Sequence, residues 1–208
     1  MADTYADSYA LMKARKYESD FSMRLKKGRS GIIYFTPHGG GIESGCSELA
    51  EFSADTEDSY YAFEGRLSSG NSVLHVTSTH FNEPNAVKLV HQHKIAVSYH
   101  GYSDTSLKNT KIGGLDEQLR NFVGEEFTAA GIPWEQEPTG SDIAGAEPGN
   151  IVNETTRGAG VQLEISTMQR NAFFGTNTAA GRRNTRLAEF ENYIAAVKRA
   201  VARHAATL

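Results

Sequence analysis

The sequence predicts an α/β fold with an open mixed sheet flanked by helices, formed by one domain over residues 1–208. Short runs rich in β-branched and aromatic residues alternate with segments of helical periodicity, as in α/β layer architectures. The composition, with 39% hydrophobic and 22% charged residues, is typical of a soluble globular protein. No internal repeat or Pro/Ser-rich linker divides the chain. These observations favour one compact core.

The predicted elements follow one another along the chain. Five runs are each about one strand long. They are 31–35, 60–63, 73–77, 95–99 and 161–165. Four segments carry apolar residues at helical spacing. They are 47–52, 84–93, 115–130 and 187–206. Pro84 stands in a helical first turn, and Gly131 and Pro133 follow the end of the third helix.

Charge and cysteine content exclude several classes of protein. The net charge of −4 provides no positive field for nucleic acid, so we expect no nucleic-acid partner. Cys46 is the only cysteine, which excludes an intramolecular disulfide and a cysteine-based zinc finger. The N-terminus lacks the basic and apolar regions of a signal peptide, and no apolar run is long enough to span a membrane. We therefore expect a protein that is made in the cytoplasm and has no membrane partner. We also expect it to be a monomer.

Polar side chains follow three of the predicted strands. The first strand leads into the segment PHGGGIESG, which contains His38 and Glu43. The strand 95–99 is followed at once by His100, and Glu164 lies near the end of the last strand. Ligands of such sheets bind at the carboxyl ends of the strands. We therefore expect these four side chains at one edge of the sheet.

The segment PHGGGIESG predicts a metal site. Glycines permit tight backbone turns, which would bring His38 and Glu43 towards one point. Imidazole and carboxylate both coordinate zinc at about 2.0–2.2 Å, and catalytic zinc sites commonly use three protein ligands. His100 is the best third ligand, because it also follows an apolar strand. The alternative is that the glycines form a phosphate-binding or plain tight turn.

The other histidines are weaker candidates. His75 lies inside a predicted strand and is interpreted as a core residue with one hydrogen-bond partner. His80 lies just beyond that strand and is a second candidate for the site. His91 and His93 would not share a helix face, and we expect both at the surface.

Glu164 is predicted to be the general base. It lies among apolar strand residues, where an isolated carboxylate would be costly to bury. A zinc-bound water is one partner that would compensate its charge, and Glu164 would then take that water's proton. The alternative is an ion pair with Arg170.

Seven ordered motifs resemble the phage-type poly-γ-glutamate hydrolase family. They are TPHGGGIESGCSELA, YAFEG, LHVTSTHFNEP, SYHGY, KIGGLDEQL, GNIVNE and GVQLEIS. The resemblance covers roughly residues 31–170, most of the chain. The resemblance implies a fold similar to zinc carboxypeptidases, which is phosphorylase/hydrolase-like. It also implies Zn²⁺ as cofactor, His38, Glu43 and His100 as its ligands, and Glu164 as general base.

Two motifs depart from the carboxypeptidase pattern. The ligand pair is HxxxxE here and HxxE there, and the substrate-binding Asn-Arg pair is replaced by Asn153-Glu154. A pocket for a chain end suits an exopeptidase. Because the Asn-Arg pair is replaced, we expect this pocket to be absent, which agrees with cleavage inside a polymer.

The function expected from the resemblance is zinc-dependent cleavage of γ-glutamyl amide bonds within poly-γ-glutamate. A phage would use such an enzyme as a capsule depolymerase, acting extracellularly after host lysis. The alternatives are a zinc deacylase of small N-acyl amino acids and a capsule-binding module without catalysis. Arginine forks bind carboxylates well, so Arg170 and Arg157 are the predicted substrate anchors, with His80 next. The alternative is that both arginines are exposed or paired with glutamates.

Overall fold

A computed structural model describes residues 3–208 and confirms the α/β class with a mixed sheet. The strands are β1 (Phe21–Lys26), β2 (Ile32–Gly40), β3 (Ser59–Gly65), β4 (Ile95–Tyr102), β5 (Thr110–Gly113), β6 (Trp134–Gln136) and β7 (Val161–Ser166). The α-helices are α1 (Ser8–Ala14), α2 (Cys46–Ser53), α3 (Pro84–Val90), α4 (Glu117–Ala129), α5 (Thr167–Ala172) and α6 (Ala188–Ala205). Three short 3₁₀ segments cover Asn71–Leu74, Ile151–Asn153 and Arg182–Asn184.

The seven strands lie in the order β1-β3-β2-β4-β7-β5-β6. Strands β3, β2, β4 and β7 form a parallel centre. Strand β1 pairs antiparallel with β3, and β5 pairs antiparallel with β7. The parallel centre brings the carboxyl ends of β2, β4 and β7 to one edge, as the sequence predicted.

Apolar side chains cover both faces of the sheet. On β2, Tyr34 packs into a core formed with α2, α4 and α6, whereas Ile33 and Phe35 pack into a second core formed with α1 and α3. This alternation follows from the two-residue period of a strand. His100 on β4 lies two residues after Ser98 and shares the face opposite to Tyr99. That face becomes polar towards the carboxyl edge.

Most predicted elements are present. Four predicted strands correspond to β2, β3, β4 and β7, and the four predicted helices to α2, α3, α4 and α6. Helix α4 ends before Gly131, whose φ of 68° suits the left-handed region. Of the described helices, none is long and apolar enough to cross a bilayer.

The prediction of a strand at 73–77 was wrong. Asn71 hydrogen-bonds through its side chain to the backbone N–H and C=O of Leu67 and starts a 3₁₀ turn. Leu74, at the end of this turn, and Val76, just after it, are buried in the second core without joining the sheet. A segment that packs across the face of a sheet and buries every second side chain has the same alternating sequence pattern as a strand within the sheet.

Candidate metal centre and catalytic cavity

His38 lies near the end of β2, where the chain turns through its three glycines. Gly40 has a φ of 66°, and a Cβ there would lie 2.5 Å from the carbonyl oxygen of Gly65. Only glycine fits this position. The turn closes when the Glu43 N–H donates to the His38 carbonyl at 2.8 Å. The local sequence thus folds His38 and Glu43 back onto each other.

Three donor groups converge at this turn. His38 Nδ1 lies 3.2 Å from Glu43 Oε1 and 3.0 Å from His100 Nδ1. His100 Nδ1 lies 3.8 Å from Glu43 Oε2, which accepts a hydrogen bond from the Gly101 N–H at 2.8 Å. Donor atoms on one tetrahedral zinc ion would be separated by about 3.3–3.6 Å, given bonds of about 2.0–2.2 Å. The residues therefore fit the ion that the sequence predicted.

Hydrogen bonding orients the His38 ring for this role. Its Nε2 lies 2.8 Å from the carbonyl oxygen of Val76, which can only accept, so Nε2–H donates. The neutral ring then carries its lone pair on Nδ1, facing Glu43 and His100. Metal-binding histidines commonly donate their second ring N–H in this way.

His75 is a further donor at the same place, and the sequence interpretation missed it. His38, Glu43 and His75 offer donor atoms within 4.8 Å of one another. However, the His75 ring stacks on the His38 ring, with 4.0 Å between centroids and a 32° angle between planes. A metal lies near the plane of each coordinating imidazole, and stacked planes do not meet within the roughly 2 Å of a Zn–N bond. The His100 ring, at 77° to His38, fits a shared ion better.

Burial and charge shift the pKa values of this cluster. Burial lowers the pKa of His100 to about 3, and the His38 charge adds to this, so its ring is neutral at pH 7. Burial also opposes a charged His38, but the adjacent Glu43 carboxylate outweighs it and raises the His38 pKa. Burial tends to raise the pKa of Glu43, yet His38 lowers it overall. The cluster thus offers one carboxylate and a neutral imidazole.

Glu164 lies beside this cluster. It pairs in register with His100 across β4 and β7, so both side chains share one face of the sheet. Its Oε1 accepts a hydrogen bond from Gln162 Nε2 at 3.0 Å. Burial and the charge of Glu43 raise the Glu164 pKa well above its usual value, with Arg170 acting in the opposite direction. A carboxylate with raised proton affinity suits a general base.

A cavity of about 600 Å³ opens onto these residues. Among the described residues, its lining contains histidines, hydroxyls, amides and acids but no lysine or arginine. Asp142 and Glu147 add two carboxyl groups to Glu43 and Glu164. The lining of the cavity is therefore polar and acidic.

The three predicted substrate anchors lie outside this lining, which corrects the expectation that they reach the cleft. Arg170 is buried, and its guanidinium donates to the carbonyl oxygens of Ile165, Ser44 and Tyr102. The expected alternative ion pair between Arg170 and Glu164 is likewise absent among the described residues. Arg170 instead ties the loop that carries Glu43 to the end of strand β4, which carries His100.

The other two predicted anchors, Arg157 and His80, also lie outside the cavity lining. Arg157 pairs with Asp116, whose N–H donates to the carbonyl of Gly160 before the start of β7. His80 is exposed.

Two further expectations concern residues outside the cavity. His91 is exposed, as predicted, but His93 is buried and bonds Leu89 O and Ser59 Oγ, so its surface assignment was wrong. The side chain of Asn153 donates to backbone carbonyls of the 145–147 loop, and Glu154 contacts His91. This pair contributes nothing to the cavity lining.

Comparisons with known proteins identify relatives of this chain. A family model described as poly-γ-glutamate hydrolase matches residues 5–196. Protein YmaC of Bacillus subtilis (strain 168) is 38% identical over 197 residues, covering 94% of this chain and 83% of YmaC.

Two solved structures are similar over the full chain. One is described as a bacteriophage poly-γ-glutamate hydrolase, with 42% identity, a TM-score of 0.94 and 100% of both chains covered. The other is a zinc-free apo form of YndL, with 35% identity and a TM-score of 0.91, covering 98% of this chain and 99% of the solved chain.

Proposed function

The chain belongs to the poly-γ-glutamate hydrolase family, and on that premise we propose that it is a zinc-dependent hydrolase that cleaves γ-glutamyl amide bonds within poly-γ-glutamate. One observation carries the proposal. The donor atoms of His38, Glu43 and His100 lie 3.0–3.8 Å apart, and these residues line one cavity together with Glu164.

His38, Glu43 and His100 would hold the zinc ion. When bound, zinc polarises the scissile carbonyl and lowers the pKa of a coordinated water. The description of YndL as zinc-free supports a zinc-binding family. The neutral His100 ring and the ionised Glu43 are in the protonation states that coordinate a metal.

Glu164 would move the proton. Its Oε1 is held by Gln162, so Oε2 remains to take the proton of the attacking water. The water oxygen bonds to the amide carbon, the C–N bond breaks, and Glu164 passes the proton to the leaving nitrogen. The raised Glu164 pKa favours uptake of this proton.

The polymer would be held by polar groups rather than by cations. Every residue of poly-γ-glutamate carries a free α-carboxylate. Since the described lining has no lysine or arginine, recognition falls to hydroxyl and amide donors such as Thr77, Ser78, Thr79, Ser141 and Asn150. Asn153 bonds to its own loop and lies outside the cavity lining, so this position does not bind a chain end in the cavity, which supports internal cleavage.

The biological setting extends the same proposal. The resemblance to a bacteriophage enzyme over the whole chain supports a phage origin. We propose in addition that the enzyme is a monomer and acts outside the host as a capsule depolymerase.

The decisive experiment combines metal analysis with a polymer assay. Purified protein should contain one zinc per chain and should lower the viscosity of poly-γ-glutamate while large fragments accumulate. Hydrolysis of small N-acyl amino acids without loss of viscosity would indicate the deacylase. Polymer binding without cleavage by the zinc-loaded protein would indicate a binding module.

A further inference from the structure

His75 occupies a position at the metal centre that the proposed mechanism does not use. Its ring stacks on His38 and borders the cavity, with 30% of its side chain exposed. The stacking geometry described above prevents it from sharing one ion with His38. It is therefore a group beside the reacting atoms that is free to contact a substrate.

Asp3 determines which ring nitrogen faces that substrate. Asp3 Oδ1 lies 2.8 Å from His75 Nδ1, and Asp3 Oδ2 accepts from the Thr77 N–H at 2.7 Å. A carboxylate only accepts, so His75 Nδ1–H donates and Nε2 carries the lone pair. Within residues 3–208, no protein group bonds Nε2. The N-terminal segment thus presents a hydrogen-bond acceptor beside the metal ligands.

We propose that His75 is a further catalytic residue whose Nε2 accepts a hydrogen bond from the leaving nitrogen of the scissile γ-glutamyl amide, with Asp3 as its positioning residue. The inference rests on the proposed function. As the leaving nitrogen takes up the proton passed by Glu164, its N–H groups become charge-assisted donors. The contact therefore strengthens as the C–N bond breaks and acts mainly on kcat.

Two substitutions of similar size separate this role from a structural one. In His75→Gln the side-chain amide reaches the position of Nε2, whereas in His75→Asn it reaches only that of Nδ1 and keeps the contact with Asp3. We expect His75→Ala and His75→Asn to lower kcat by about 10- to 100-fold, the effect of one hydrogen bond to a charged group. His75→Gln should recover most of this loss. His91→Ala, at an exposed histidine, is the control.

Asp3→Asn tests the positioning. The asparagine amide can still accept from Thr77 N–H, but its NH₂ then faces His75 Nδ1 and moves the ring proton to Nε2. We expect a fall in kcat similar to that of His75→Ala. The double variant Asp3→Asn/His75→Ala should be no slower than His75→Ala alone, because Asp3 acts through His75.

Zinc content and the activity of the wild-type protein distinguish failure of this inference from failure of the proposed function. All these variants should retain one zinc per chain and their thermal midpoint. Loss of zinc in His75→Ala would make His75 a ligand, and equal activity of the Gln and Asn variants would remove the role of Nε2. Wild-type protein that fails to cleave the polymer would overturn the proposed function itself, before any variant is compared.

Discussion

Two groups of buried titratable side chains lie at opposite ends of β7 and differ in how their charges are compensated. Near its start, Asp116 pairs with both Arg157 and His204. Towards its carboxyl end, the ion-pair partners of Glu43 among the described residues are histidines alone, and Glu164 has no ion pair there. Burying a carboxylate without a cation is unfavourable. The charges of the first group are compensated within the protein, whereas the second group has the charge pattern that suits the proposed zinc ion.

The largest expected effect comes from removing a ligand of the second group. His38→Ala or His100→Ala should leave less than one zinc per chain and abolish nearly all hydrolysis, because two protein ligands remain of three. Zinc analysis and polymer viscosity measure both effects. Arg157→Ala is the matched control in the first group and should leave zinc content and kcat/KM unchanged. Full zinc occupancy in both histidine variants would rule out the proposed centre.

Glu164→Gln should separate chemistry from metal binding. We expect kcat to fall by about 10²–10⁴-fold, the contribution of a positioned proton-transfer group, with zinc retained. Single-turnover kinetics with a short γ-glutamate oligomer and zinc analysis measure the two properties. Zinc loss would instead make Glu164 a ligand, and wild-type kinetics would end its role as base.

Asp116→Ala should show the opposite behaviour. It removes both ion pairs and the cap that accepts the Leu119 N–H, so the free energy of unfolding should fall by about 2–4 kcal/mol. Denaturant unfolding measures this loss. Zinc stoichiometry and kcat should stay at wild-type values below the unfolding transition. A selective fall in kcat without a change in stability would contradict the division between the two groups.

The pH dependence of stability should reveal the neutral His100. Its folded pKa is lowered to about 3, whereas an unfolded histidine titrates near 6.5. Between these values only the unfolded chain binds the proton, so this contribution is complete above about pH 6.5. It is lost by up to about 1.4 kcal/mol per unit as the pH falls. Chemical unfolding of metal-free protein at several pH values should show a shallower slope in His100→Gln than in His91→Gln.

The smallest expected effect is on the salt dependence of polymer cleavage. An acidic protein and an acidic cavity repel a polyanion, and salt screens this repulsion. Between about 10 mM and 150 mM salt, where the Debye length shrinks from roughly 30 to 8 Å, kcat/KM should rise about two- to fivefold. Initial rates at low polymer concentration measure it. A fall with salt would instead indicate a cationic anchor outside the described cavity lining.

The sequence was sufficient to predict the turn and the strand ends that form the site. The glycines between His38 and Glu43 predict a turn that brings these two side chains together, and the strand ends predict that His100 and Glu164 join them. Strands β1, β5 and β6, which lie outside the parallel centre of the sheet, were not predicted, because short strands with mixed polarity carry little periodic signal.

The sequence by itself determined the α/β alternation, the carboxyl edge that carries the site, and the convergence of His38, Glu43, His100 and Glu164. Only the tertiary structure decided which further residues belong there. Arg170 follows β7 yet donates to backbone carbonyls, and Asp3 reaches His75 across 72 positions of the chain. Such partnerships depend on how distant segments pack. Local periodicity reports which side chains are buried, but not which distant groups they meet.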